Sequence, residues 1–467
     1  MKKITKMHYI LCIAILALAA CKKQPLVEPE QTKPGIETPV IPPTQPDPNP
    51  NPGTPSFSKT YEVGTGSGNL TIDGSTFTIS GATLFKIKAG NYSTITVKNF
   101  VQDDANPVYV KNNGLVEITS GQSLFSNLRN VVFSGDGTPG IDKGFLFRDI
   151  SYRAIKLDEN APINKFTIQY VSFRNIGNNV INLSKNDVYD GTSKSYAESL
   201  KFLHLDCDNT GGLLSVDGSI SSGRPTGLVK NIEIAYVNFK NAPSVGTIVY
   251  MGNAENYDIH HNIVTNINTQ TDIHNGIFMM KGNGRFHDNH VSNHQGNSIR
   301  AWGFSIGTVP KDILIYNNII VNSRKYSGFE VQSFDDYIIP GVSTYTNAKV
   351  FNNTCGNLNL SRDWQGNVVD VYSLKGGTCD VYNNLAFNLL NSPSGPGNIA
   401  GQESGLTPTV SNNLYFNTSK EAGILDENTM KLSSTSPAKG KGKHEALSTV
   451  DFYGNVRANS PSIGAVE

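Results

Sequence analysis

The chain lacks the features of a helical, nucleic-acid-binding or disulfide-stapled protein. Its 39 basic and 39 acidic residues cancel to a formal charge of zero. Nothing therefore draws it generally toward nucleic acid, and any attraction for an acidic ligand must come from a local patch. No segment carries a sustained apolar repeat at 3.6-residue spacing with caps, which argues against helices. Beyond residue 57 the cysteines are Cys207, Cys355 and Cys379. An odd number at differing repeat phases argues against a disulfide framework, and no Cys/His spacing matches a structural zinc site. The apolar run Ile10 to Ala20 is too short to span a bilayer.

What the chain has instead is a repeat. A β-branched or aromatic residue, two further residues, Asn and usually an apolar residue recur as Ile259-His260-His261-Asn262-Ile263, Phe286-His287-Asp288-Asn289-His290 and Ile315-Tyr316-Asn317-Asn318-Ile319. The pattern continues through Asn353, Asn384 and Asn413, at steps of 27, 29, 35, 31 and 29 residues. Earlier copies, such as Ile168 to Val171, Phe202 to Leu205 and Ile234 to Val237, keep the apolar pattern without the Asn. Each unit holds short apolar/polar alternations rich in Val, Ile, Phe and Tyr, punctuated by Gly, Asn and Ser, which is the pattern of strands. One turn of chain per unit predicts an all-β solenoid, a right-handed parallel β-helix with stacked Asn side chains as a ladder. Asn also tolerates the left-handed backbone that the bend requires. Cys207 falls in the phase of Phe173 and Phe239, so it is expected to point inward. Residues 58–467 are expected to form one β-helix domain: an N-terminal cap and first coils (58–140), main coils (141–420) and an irregular tail (421–467).

The N-terminus reads as targeting. Lys2, Lys3 and Lys6 precede the apolar run, which ends Leu18-Ala19-Ala20-Cys21. This resembles a bacterial lipobox, which implies a signal peptide over 1–20, a lipidated Cys21 and anchorage to a membrane by acyl chains. The Pro-rich stretch that follows, within 21–57, is an extended tether. The expected location is extracytoplasmic, on the outer membrane, with the surface and periplasmic faces both open.

Two further stretches carry a family resemblance. Leu84-Phe85-Lys86-Ile87-Lys88-Ala89-Gly90-Asn91-Tyr92 resembles the first coil of secreted pectate-lyase-like β-helix proteins, and Asp451 to Arg457 with Ile463 to Glu467 resembles their closing tail. The resemblance implies fold and leaves reaction open.

In such a solenoid a ligand lies along one sheet, across outward side chains of neighbouring coils. Aligning the strand after each Asn makes Asp217, Tyr250, Lys281, Arg300, Trp302, Glu330, Asp370 and Tyr372 outward. An aromatic ring beside cations and a carboxylate suits an acidic sugar chain, so Trp302, Glu330, Tyr372, Tyr250, Asp217 and Asp370 are the candidate substrate-binding residues. Met280-Lys281-Gly282-Asn283 through Ser298-Ile299-Arg300 resembles the catalytic stretch of the chondroitinase-B and alginate lyase family. That resemblance implies β-elimination, with Lys281 as base and Arg300 at the leaving group. Burial and a neighbouring Arg would lower the Lys281 pKa. The family's calcium-binding acids correspond to His274 and Gly276 here, neither a hard oxygen ligand, which leaves calcium open and no metal site assigned.

Six of the nine histidines fall between 260 and 294. His260 and His287 share a column with Tyr316, Phe351 and Tyr382, and His290 sits where Ile263 and Ile319 sit, which predicts stacking and an inward, satisfied ring. His274 and His294 escape this pattern, and either is a candidate base. The polygalacturonase motifs Gly-His-Gly and Arg-Ile-Lys are absent, although Glu330 and Asp370, expected two coils apart, form an alternative acid pair. Three readings follow: a lyase on an acidic polysaccharide, a non-catalytic glycan-binding or cell-surface structural protein, and a glycoside hydrolase. A monomer is expected.

Overall fold

In the computed structural model, which describes residues 55–158, 162–221 and 223–467, the alternating segments pair with their counterparts one coil away. Twenty-eight strands join in a single hydrogen-bonded system, and its pairings are parallel. Antiparallel pairing is confined to small hairpins such as Ser305–Ile306 with Ser343–Thr344. Two 3-10 turns, Gly74–Thr76 and Asp335–Tyr337, are the helical elements among the described residues. The fold is a right-handed parallel β-helix. The expected signal peptide, Cys21 and the expected tether up to residue 54 lie outside the described residues.

The core is built of columns. Ile168, Phe202, Ile234, Ile259, Phe286, Ile315, Val350 and Val381 stand in register, each on the one before, and all are fully buried. Burying each such side chain contributes about 1.5–3 kcal/mol. Cys207 pairs in register with Phe173 and Phe239 and points inward, and Cys355 and Cys379 are also buried and free.

The Asn ladder forms as the spacing predicts. Each amide nitrogen donates to the next Asn's Oδ1, from Asn262 to Asn289 (2.9 Å), Asn318 (3.1 Å), Asn353 (2.9 Å), Asn384 (2.9 Å) and Asn413 (2.9 Å). The same nitrogen also donates back to a carbonyl of the preceding coil, as Asn318 does to Phe286 O at 2.9 Å, so each side chain ties three coils together. The left-handed backbone lies elsewhere than expected. It falls on the preceding residue, with φ near 55° at His261, Asp288, Asn317, Asn352, Asn383 and Asn412. The bend turns at that position and aims the following Asn inward. A second, exposed Asn row runs through Asn209, Asn241, Asn266 and Asn293, all left-handed, with Asn266 donating to Asn241 at 3.1 Å.

Ring stacking accounts for two histidines. His260, His287, Tyr316, Phe351 and Tyr382 form one continuous stack at centroid spacings of 5.0, 4.6, 5.0 and 5.2 Å. His290 and His294 point inward, His290 in register with Ile263 and Ile319 and His294 with Ile267. The expectation that His290 is satisfied fails, because neither of its ring nitrogens has a hydrogen-bond partner among the described residues, and for His294 a contact with the Gly296 backbone only partly offsets the same burial. Burial pushes their pKa values down to about 4 and about 3, against an ordinary 6.5. The unfolded chain therefore takes up protons below about pH 6.5 that the folded chain refuses. Their contribution to stability is complete above that pH and is lost as the pH falls toward 4. Replacing His294 with Met is expected to flatten the fall in urea midpoint between pH 7 and pH 5 relative to the parent. Parallel pH profiles for the two proteins would contradict this.

The tail from 421 onward covers one flank. Ala422, Ile424, Phe452 and Ile463 pack on Ile319, Val321, Leu385 and Phe387. Buried Arg457 donates to Asn317 Oδ1 at 2.8 Å and to Gly464 O at 3.0 Å.

Candidate active site

The strands Gly276–His287, Asn297–Gly303, Phe329–Gln332 and Val369–Leu374 follow one rule. Phe278, Met280, Ile299, Ala301, Phe329, Val331, Val369 and Val371 are buried inside, and the alternate residues face out. Parallel register then makes two outward rows. Met279, Arg300, Glu330 and Asp370 form one, and Lys281, Trp302, Gln332 and Tyr372 the other. The strand spacing is about 4.8 Å per coil.

The first row holds the ionisable cluster. Arg300 donates from Nε to Glu330 Oε1 at 2.8 Å and from Nη1 to His274 O at 3.2 Å. Glu330 is 2% exposed. Burial raises its pKa and Arg300 opposes the rise. His274 places Nε2 3.0 Å from Asn297 Oδ1, while Asn297 Nδ2 is committed to Ser327 O at 3.1 Å. Asn297 can then only accept, so Nε2 carries the proton and Nδ1 is left with the lone pair. The His274 ring stacks on Tyr326 at 3.9 Å and lies 6.0 Å from Trp364. Burial, reinforced by the Arg300 charge, pushes the His274 pKa down to about 4 although Asn297 opposes this. The ring is therefore neutral at pH 7.

Glu330 and Asp370 are register neighbours on adjacent coils, which corrects the expected two-coil separation. The Phe329–Gln332 and Val369–Leu374 strands that carry them pair directly, because the intervening chain from 333 to 368 completes a single coil. Asp370 accepts from Asn367 Nδ2 at 2.8 Å and Ser327 Oγ at 2.9 Å. Its pKa is pushed up to about 7, first by burial and further by Glu330, against those two donors.

In the second row Lys281 is enclosed. Its ammonium lies 3.1 Å from the hydroxyls of both Tyr250 and Tyr337 and 4.9 Å from the centre of the Trp302 ring. Arg300 lies over the same Trp302 ring at 5.9 Å. The expected lowering of the Lys281 pKa does not occur. Burial pushes it down, but the two tyrosine hydroxyls outweigh burial and leave it above the ordinary value. Tyr337 comes from the loop after Gln332, whose Phe334 packs on Trp302 at 4.4 Å.

The structure thus gathers Tyr250, His274, Lys281, Arg300, Trp302, Glu330 and Asp370, with Tyr372 further along the Trp302 row and 39% exposed. It does not bring His294 to this face, because the ring is sealed inside the coils. It also leaves Asp217 apart, at an exposed position where it accepts from Ser184 Oγ at 2.7 Å. Among the described residues no group of three or more His, Cys, Asp or Glu side chains is disposed to hold a metal ion. Sequence reasoning missed Asn297, Tyr326, Tyr337 and Trp364. Trp364 is one of two tryptophans in the chain, a signal that was available. Tyr337 lies in a loop with no repeat phase to place it.

No family model matches the chain, and no curated protein matches it. Among solved structures, the PL6 family polysaccharide lyase Pedsa3628 from Pseudopedobacter saltans is similar at 12% identity and a TM-score of 0.39, over 80% of this chain and 98% of that one. Pectate lyase Pel9A is similar at 13% identity and a TM-score of 0.41, over 82% of this chain and 88% of that one.

Proposed function

We propose that the protein binds an acidic polysaccharide along the face from Tyr250 to Tyr372 and cleaves it by β-elimination beside a uronate. The observation that carries this reading is the pairing of His274 with Arg300: a neutral imidazole with a defined lone-pair nitrogen beside a guanidinium, on a face lined by Trp302, Tyr326 and Trp364. β-Elimination needs a base for the proton at C5 and positive charge against the carboxylate as negative charge develops there. In this proposal His274 Nδ1 takes the C5 proton, the freed electron pair forms the C4–C5 double bond, and the C4–O bond breaks. The leaving oxygen takes a proton back from the imidazolium. Arg300 Nη2 and the third ammonium hydrogen of Lys281 pair with the uronate carboxylate.

A lysine held charged is a poor base and a good carboxylate partner. Because this charge meets the carboxylate both in the bound state and as negative charge grows there, Lys281→Ala is expected to raise KM at least tenfold and to lower kcat as well. A loss confined to kcat would return the base to Lys281.

The decisive measurement is ultraviolet absorbance of unsaturated products on alginate, pectate, chondroitin and heparin-type chains, with and without calcium. Absorbance on one of them supports the lyase and names its substrate. A second reading rests on the adjacent Glu330 and Asp370, one carboxyl near neutrality beside another, as in a hydrolase acid pair. New reducing ends without absorbance would favour it. Retention on an affinity gel without any cleavage would make the protein a glycan-binding module.

We also propose the location implied by the N-terminal motif: an extracytoplasmic lipoprotein held to the outer membrane through Cys21. Cys21→Ser is expected to move the protein from the membrane to the soluble fraction; unchanged membrane retention would contradict that anchor.

A further inference from the structure

Strand alternation aims Lys281, Trp302 and Gln332 outward, yet Lys281 and Gln332 are only 8% and 5% exposed. Their cover is the chain that follows Gln332. It turns back across the two preceding coils. Phe334 packs on Trp302 at 4.4 Å. The Tyr337 hydroxyl lies 3.1 Å from the Lys281 ammonium, and the Tyr337 ring stacks on Phe304 at 5.3 Å. The outer turn of this loop is fastened at the surface, where Asp335 accepts from Lys375 Nζ at 2.5 Å and from the Tyr345 hydroxyl at 2.9 Å. The Asp335–Lys375 pair is solvent-exposed and contributes little to holding the loop down.

Beneath the loop two polar groups are left over. Trp302 Nε1, a donor, and Gln332 Oε1, an acceptor, are both enclosed, and neither has a hydrogen-bond partner among the described residues. They are register neighbours on adjacent coils, yet they do not bond one another. A buried polar group without a partner destabilises the fold, and an apolar side chain could fill either place without that cost. Beside them stands Lys281, whose two hydrogen-bond partners, the hydroxyls of Tyr250 and Tyr337, are neutral. A donor, an acceptor and a cation in one row match the hydroxyls and carboxylate of an acidic sugar chain.

We propose that Trp302 and Gln332 form a sugar subsite beneath this loop, and that the glycan opens it by displacing Tyr337 from Lys281. Gln332 Oε1 accepts from one sugar hydroxyl and Trp302 Nε1 donates to the next, while Lys281 takes the carboxylate. The subsite therefore selects acidic chains whose hydroxyls beside the carboxylate are unsubstituted. An ester or sulfate on the oxygen that faces Gln332 removes the hydrogen it would accept. The inference rests on the reading of this face as a site for acidic polysaccharide and requires no cleavage.

The test is retention in affinity gels of alginate, pectate, chondroitin and heparin-type chains, together with urea midpoints, for the parent and two variants that keep its charge. Gln332→Met keeps the length of the side chain and removes the orphaned acceptor. It is expected to raise the urea midpoint and to weaken binding of the retained chain roughly tenfold. Tyr337→Phe keeps the ring on Phe304 and loses the hydroxyl that ties the loop to Lys281. It is expected to tighten binding about threefold to tenfold, because the open state becomes more populated. Gln332→Met with unmoved binding gives Gln332 a structural role alone and overturns the subsite. A lowered midpoint in that variant would show Gln332 bonded within the fold and overturns it equally. Tyr337→Phe binding no tighter than the parent overturns the displacement of the loop. Retention of no chain by either the parent or Tyr337→Phe would instead overturn the acidic-polysaccharide reading of the face, and the subsite with it.

Discussion

Asn318→Ala is expected to cost the fold about 3 kcal/mol, read as a lower urea midpoint. The side chain makes four bonds in a fully enclosed position. Its nitrogen donates to Phe286 O at 2.9 Å and Asn353 Oδ1 at 2.9 Å, and its oxygen accepts from Asn289 N at 3.0 Å and Asn289 Nδ2 at 3.1 Å. Alanine leaves the Asn289 backbone N–H buried without a partner, and that penalty dominates. The control is Asn266→Gly in the exposed row. Glycine keeps the left-handed backbone there, φ 57°, and loses only solvent-facing bonds, so the change is expected to stay within about 0.5 kcal/mol. Equal shifts in the two variants would mean that the buried ladder contributes little, and that the coils are held by apolar columns alone.

His274→Ala is expected to lower kcat by about 10²–10⁴-fold while glycan retention survives. The pH dependence sharpens the test. A base must be unprotonated to act, and burial with the Arg300 charge pushes the His274 pKa from 6.5 to about 4. Activity is therefore expected to hold from pH 7 downward and to fall only as the pH passes through about 4. Arg300→Ala removes part of that push and moves the limb toward 6.5. An acidic limb near 6.5 in the parent would sink the assigned environment. A loss of activity on raising the pH through about 7 would instead point to Asp370 as an essential acid, since burial and Glu330 hold its pKa there.

The histidine-rich stretch shows how unevenly a sequence discloses a site. His260 and His287 were readable as stacked rings because their column is filled by Tyr316, Phe351 and Tyr382, and identical phase in a parallel stack forces contact. His274 and His294 sit outside that column, and position in the chain does not separate them. Folding sends His294 inward, in register with Ile267, and leaves His274 between Asn297, Tyr326 and Glu330. The protonation state of Lys281 was equally out of reach. Its cage needs Tyr337 from a loop and Tyr250 from the preceding coil.

The sequence by itself determined the solenoid, the ladder and the two outward rows. Alternation has period two and the coil has a near-constant length, so facing and stacking follow from counting along the chain. Tertiary structure alone decided what those rows do. Loops of unequal length enter between coils, and they set which ring covers Lys281, which carbonyl meets Arg300 and which imidazole reaches the surface. Contacts between residues tens of positions apart depend on those loop paths, and local pattern carries no record of them.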